Sequence, residues 1–125
     1  METSANRLLA LEYLARIEAG NLPAALELVS DDAVFWLPNT GDMDKAAFTR
    51  FLGAVLPVIR TMKFTIRGVT EEGHRVAVEV EGRAELNNER IYSNHYHFLF
   101  IIRDGLLRQV KEFTDSAPAV EAFRP

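Results

Sequence analysis

Apolar side chains between Ser4 and Ala19 recur at three- and four-residue spacing through Leu8, Leu11, Leu14, Ala15 and Ile17, which predicts an amphipathic helix stopped at Gly20. Asn21-Leu22-Pro23 restarts the pattern. Asn is an N-cap residue and Pro fits a first turn, so a second helix is predicted to about Val29, where Ser30-Asp31-Asp32 breaks it. Ala33 to Leu37 reads as a short strand ended by Pro38. A loop, Asn39-Thr40-Gly41-Asp42, then leads into a third helix from Asp44 to about Thr61, with a kink expected at Pro57.

Beyond Met62 the period changes to two. Runs from Lys63 to Thr70, His74 to Leu86, Arg90 to Arg103 and Leu106 to Thr114 are separated by the turn signals Glu72-Gly73, Asn87-Asn88 and Asp104-Gly105, so an antiparallel meander is predicted. Asp115-Ser116 is placed to cap a short last helix to Phe123. Helices followed by long strands form a segregated α+β arrangement, with three N-terminal helices covering one face of a curved sheet and one domain spanning residues 1–125.

A chain of 125 residues can bury about two thirds of its surface without a metal clip or a disulfide. The absence of cysteine excludes thiol nucleophiles and every Cys-ligated zinc or iron–sulfur site, and suits a reducing compartment. A net charge of −4, with basic residues scattered singly, argues against nucleic acid and against anionic membrane surfaces as partners. No apolar run approaches the ~20 residues of a membrane span. Met1 to Asn6 lacks the basic region and apolar core of a secretory signal, so a cytoplasmic protein is expected.

The run Arg90 to Arg103 has two unlike faces. Tyr92, Asn94, Tyr96, Phe98, Phe100 and Ile102 lie on one, and Ser93, His95, His97, Leu99, Ile101 and Arg103 on the other. The first should meet the helices. Its two phenols and one amide near one end of an apolar face make the kind of mixture that orients a small molecule in a pocket, although buried Tyr and Asn also bond simply to backbone. Trp36, Phe48, Phe51, Phe64 and Phe98 would then set the cavity's shape.

Neither face of the last run is cleanly apolar, and register must decide. A two-residue turn at Asp104-Gly105 would pair Arg103 with Leu106 and put Glu112 opposite His97, on the outer face. A three-residue turn would pair Ile102 with Leu106, match Phe98 with Val110 and set Glu112 beside Tyr96, inside. Packing favours the second. Facing inward, Glu112 loses water, its pKa rises, and it becomes a candidate general acid or base; facing outward, it is a surface carboxylate beside Lys111. In the run His74 to Leu86, the charged face with Arg83 and Glu85 and the apolar face with Val76, Val78 and Val80 compete for the interior. His95 and His97 share a face and would need a third ligand to hold a metal. A pair of histidines at a subunit interface, sensitive to pH between about 5 and 8, is the better reading.

Tyr92-x-Asn94-x-Tyr96-x-Phe98, Asp104-Gly105-Leu106-Leu107 and Lys111-Glu112-Phe113-Thr114-Asp115 together resemble the C-terminal half of SnoaL-like, ketosteroid-isomerase-related proteins of the nuclear-transport-factor-2-like superfamily. The resemblance implies a cone-shaped α+β fold with an apolar cavity between helices and sheet, and a homodimer. Tyr13 resembles the first-helix tyrosine that donates to the substrate oxyanion in ketosteroid isomerases. The isomerase base has no counterpart, since its position is similar to Leu37, and the neutral Asp of the oxyanion hole is missing as well. Glu112 resembles the last-strand carboxylate that serves as acid or base in related phenazine-biosynthesis proteins and in limonene epoxide hydrolase. Arg83-Ala84-Glu85 is similar in spacing to the Arg-x-Asp of that hydrolase, while its water-positioning residues look replaced by Val34 and Trp36.

The resemblance implies a cofactor-free isomerase, cyclase or dehydratase acting on a compact apolar or aromatic molecule. Glu112 and Tyr13 would be catalytic, and Trp36, Phe51, Arg83, Asn94, Tyr96, Phe98 and Val110 would contact the substrate. An epoxide hydrolase using Glu112 and Arg83 is the second reading. A binding or dimerisation module that kept the cavity without chemistry is the third. Leu99, Ile101, Leu107 and Phe113 supply an apolar outer face for dimerisation.

Overall fold

Ser4 caps the first helix, accepting from the N–H of Arg7 at 3.0 Å, and α1 (Ala5–Glu18) turns Ala10, Tyr13, Leu14 and Ile17 into the interior. The computed structural model describes residues 4–125; Met1 to Thr3, the start of the stretch read for a signal, lie outside it. Asn21 caps α2 (Leu22–Leu26) through the N–H of Ala24. This helix ends short of the predicted Val29. That residue opens β1 (Val29–Leu37), where it pairs in parallel with Leu107 and is buried.

The predicted loop after Pro38 is a hairpin instead. β2 (Gly41–Asp44) folds back on β1 with Leu37 opposite Gly41, and the reversal uses left-handed backbone at Asn39 and Gly41. Asp44 then caps α3 (Lys45–Val55), accepting from the N–H of Ala47 at 2.7 Å. Pro57 does not kink a longer helix but ends it. With no N–H to donate, and crowding the residue before it, it closes the chain in a 3₁₀ turn at Leu56–Val58. β3 (Ile59–Glu72) therefore begins where helix was predicted.

β3, β4 (Arg75–Leu86), β5 (Ile91–Arg103) and β6 (Leu106–Thr114) form the expected antiparallel meander, and α4 (Ala117–Ala122) follows. The sheet runs β2-β1-β6-β5-β4-β3, with only β1 and β6 parallel. The helices pack against one face of this curved, unclosed sheet, so the α+β architecture is as expected, with α4 added to the three N-terminal helices. Between the layers, Phe48 of α3 stacks on Phe35 of β1 with ring centroids 3.8 Å apart, and Tyr13 meets Phe100 edge-on at 5.7 Å. Val76, Val78, Val80, Ile102 and Leu107 complete the buried core.

The β5–β6 pair combines features of both registers considered above. Asp104 and Gly105 both have positive φ, so the turn is the two-residue kind and Arg103 faces Leu106. One step on, Ile102 pairs with Leu107 and Ile101 with Gln109, leaving Arg108 as an extra, unpaired residue. That bulge reverses the parity of the rest of the strand. Phe100 then faces Val110, Phe98 faces Glu112 and Tyr96 faces Thr114, all on the helix side. The two-residue turn, ahead of the bulge, sets Leu107 opposite Ile102 and buries it, removing it from the outer apolar face where it was expected.

Candidate active site

A cavity of about 700 Å³ lies between the helices and the inner face of the sheet. Its walls are Phe35 of β1, Phe48 and Leu52 of α3, Phe64 of β3, Phe98 of β5 and Val110 of β6. Tyr13 enters from α1 and Tyr96 from β5. Toward the mouth, Phe51, Val58 and Val120 are exposed, with α4 and the Asp115-Ser116 segment along the rim. Deep in this apolar shell the polar side chains are the phenols of Tyr13 and Tyr96 and the carboxyl of Glu112, while Thr40, Tyr92, Thr114, Asp115 and Ser116 also line it.

Glu112 borders the cavity from β6, next to Val110 and across from Phe98. Burial pushes its pKa up to about 7, with no compensating partner for the charged form. Burial likewise raises Tyr13, and the Glu112 carboxylate adds to that rise. Tyr96 is raised by burial first, then by the Tyr92 hydroxyl and Glu112. Both phenols therefore stay protonated and remain hydrogen-bond donors across the neutral range, in the same cavity as a carboxyl that changes charge within it.

The other expected contact residues divide. Phe98, Val110 and Phe51 border the cavity. Asn94 does not: its amide nitrogen donates to the Tyr92 hydroxyl at 3.1 Å and to the Asp115 carbonyl at 2.7 Å, and its oxygen accepts from the His95 N–H. It braces the end of β5 against the start of the α4 segment. Trp36 and Arg83 stand at the cavity's edge, yet strand alternation turns both side chains to the outer face. Trp36 lies against Phe113 at 5.0 Å. Arg83 pairs with Glu85 at 3.2 Å and is largely exposed. The aromatic wall on β1 is Phe35, one residue from the expected Trp36. Both parities of Val34-Phe35-Trp36-Leu37 are apolar, so only pairing with β6 distinguishes them. Tyr92 and α4 were also missed as parts of the mouth, where Phe123 packs edge-on against Tyr92 at 5.4 Å.

On the outer face, His95 contacts Glu81 at 2.9 Å and His97 stands opposite Phe113 and Glu79. Both histidines are exposed in the single chain. Among the described residues, no group of three His, Cys, Asp or Glu side chains is arranged to hold a metal ion. No helix among them is long and apolar enough to cross a membrane.

An α+β shell around an apolar cavity with a desolvated carboxyl defines a class that comparison with known proteins identifies. The SnoaL-like domain family matches residues 10–110, and the chain belongs to that family, within the nuclear-transport-factor-2-like superfamily. Solved structures agree on the fold. An NTF2-like protein of unknown function from Burkholderia pseudomallei superposes with a TM-score of 0.85 at 17% identity, covering 98% of this chain and 100% of that one. AclR of Streptomyces galilaeus, provisionally described as a hydroxylase, gives 0.83 at 16% identity, with coverage of 93% and 92%. IdmH of Streptomyces antibioticus, provisionally described as a polyketide cyclase, gives 0.79 at 17% identity, with coverage of 94% and 96%. At these identities the likeness is one of fold. No functionally curated protein matches the sequence.

Proposed function

We propose that the protein binds an uncharged apolar or aromatic carbonyl compound in this cavity and catalyses cofactor-free proton transfer on it, of the isomerase, cyclase or dehydratase type. The observation that carries this reading is Glu112, a carboxyl with a pKa pushed up to about 7 by burial alone, bordering an apolar cavity that two protonated phenols also line. No Lys lines the cavity and Arg83 turns away, so nothing inside would pair with an anionic ligand. In the isomerase form, the Glu112 carboxylate takes a proton from the carbon next to the carbonyl. The C–H electron pair moves into the new C=C bond of an enolate, and the enolate oxygen accepts hydrogen bonds from Tyr13 and Tyr96. Protonated Glu112 then returns the proton to carbon, leaving the enzyme unchanged.

The test is exchange. The neutral ketone 6-propionyl-2-(dimethylamino)naphthalene in D₂O should gain deuterium at the carbon next to its carbonyl with the wild type, and at the buffer rate with Glu112→Gln. Equal exchange by the two proteins, with the ketone bound, would leave a binding module as the function. The epoxide-hydrolase reading loses its support, because the outward Arg83 is not brought to Glu112. Dimerisation through the outer face, where Trp36, Leu99, Ile101 and Phe113 remain partly or wholly accessible, and action in the cytoplasm belong to the same proposal.

A further inference from the structure

Of the seven glycines, Gly82 alone lies where an added side chain would meet another residue. It sits in the middle of β4, between Phe64 on β3 and Asn94 on β5. Its backbone does not have the positive φ of the turn glycines Gly20, Gly41, Gly73 and Gly105. Nothing in the strand's conformation therefore calls for glycine, and glycine weakens a strand interior. The other glycine inside the meander, Gly68, has open space around it and lies at a break in the β3–β4 register.

What calls for glycine at position 82 is Tyr96. A Cβ there would lie 2.8 Å from Tyr96 Cε2 and 3.5 Å from two ring atoms of Phe64. Tyr96 pairs with Val80, so its ring leans diagonally off its own row and over the bare backbone of the next. There it is hemmed in, stacked on Phe98 at 5.6 Å on one side and edge-on to Phe64 at 6.4 Å on another. A side chain at position 82 leaves the ring no room along the sheet. It would have to stand up into the cavity, filling space a planar ligand needs and carrying its hydroxyl away from Tyr92 and Glu112.

We propose that Gly82 is a positioning residue for the proposed proton-transfer site: its missing Cβ is the seat that holds the Tyr96 ring flat against β4, keeping the cavity open and the hydroxyl beside Glu112. This rests on the ligand-binding reading above, but the seat can be observed without any ligand. The ring lies over the Gly82 backbone, so the Gly82 Hα resonances of the free protein should be displaced by ring current and return to ordinary positions in Tyr96→Leu. Undisplaced resonances in the wild type would overturn the proposal.

The functional arm is a double-mutant cycle with the same naphthalene ketone, whose emission moves to the red when its carbonyl accepts a hydrogen bond. Gly82→Ala should weaken its binding about tenfold and shift the emission to the blue in the wild-type background, and change affinity less than about twofold in a Tyr96→Leu background. A purely structural loss would appear equally in both backgrounds, and that result, or no loss in the wild type, would overturn the proposal. A Gly82→Ala chain that folds only when residue 96 is Leu supports it. Failure of the wild type to bind the ketone, with the Gly82 resonances displaced, would count against the ligand reading and leave the seat in place.

Discussion

Glu112 faces Phe98 across the β5–β6 pair, and the two share the inner face only because Arg108 bulges out between them and the Asp104-Gly105 turn. Deleting Arg108 would remove the unpaired residue and leave Ile102 with Leu107, Ile101 with Gln109 and Phe98 with Glu112 in a regular ladder. Val110 and Glu112 would stay inward, and Gln109, Lys111 and Phe113 outward. The deletion variant should therefore keep cooperative melting in near-ultraviolet circular dichroism, and its Glu112 should keep its raised pKa. Loss of cooperative melting would mean that the local bend of the bulge, and not the pairing alone, seats the strand. Arg108→Ala keeps the residue count, loses the hydrogen bond to the Arg103 carbonyl and two exposed ion pairs, and should cost only about 1 kcal/mol.

Glu112 ties stability to pH with an identifiable sign. Its folded pKa of about 7 lies above its ordinary value of 4.5, so between those values the folded state holds more protons than the unfolded one. Stability then falls as pH rises through this window, by about 3 kcal/mol in total, and is fully present below it. Glu112→Gln cannot ionise. It should be more stable than the wild type at pH 8 by about that amount and should lose the pH dependence between 5 and 7. Matching denaturant midpoints for the two proteins at pH 8 would show that the carboxyl is hydrated.

How far the sequence could be read turns on which strands alternate cleanly. The inner face of β5, Tyr92 through Ile102, was legible because every second residue except Asn94 is aromatic or apolar and its neighbours are polar at the Tyr92 end. β1 was not, because Phe35 and Trp36 are equally suited to the interior, and the choice is made by a parallel pairing with β6 some seventy residues away. The Arg108 bulge carries no glycine or other local mark, so neither turn length considered could yield the observed register. Pro57 was visible as a break, but whether a helix bends or ends there depends on β3 starting at Ile59 to pair with Leu86. The cavity's phenols were recognisable by type, whereas Asn94 differs from them only through the Tyr92 hydroxyl and the Asp115 carbonyl that occupy its amide.

Arg90 should control how firmly the mouth is covered. Its guanidinium donates to the carbonyls of Glu121, Ala122 and Arg124, at 3.4, 3.4 and 2.8 Å, at the C-terminal end of α4. A cation there also meets the negative end of the helix. Arg90→Met keeps the apolar stem and removes the donors. Amide exchange should accelerate in residues 117–123 and stay unchanged in β4 and β5, with a global loss of about 1 kcal/mol. Uniform acceleration across the sheet would mean that α4 is not a separate unit.

The outer face leads to a prediction about association. Trp36 and Phe113 lie with their rings 5.0 Å apart, and Phe113 is 44% exposed. Leu99 and Ile101 continue the apolar strip on β5, with His95, His97 and the Arg67–Glu81 pair along its side. A strip of aromatic and branched side chains edged by charges of both signs suits a symmetric contact with a second copy, since each acidic group can meet a basic one across the twofold axis. The wild type should sediment as a dimer at tens of micromolar, and Phe113→Glu as a single chain, because the substitution places two carboxylates in the centre of the contact. Phe113 does not border the cavity, so the variant should keep its melting behaviour at low concentration and its affinity for the naphthalene ketone. A wild type that sediments as a single chain would leave the Trp36–Phe113 strip as ordinary surface.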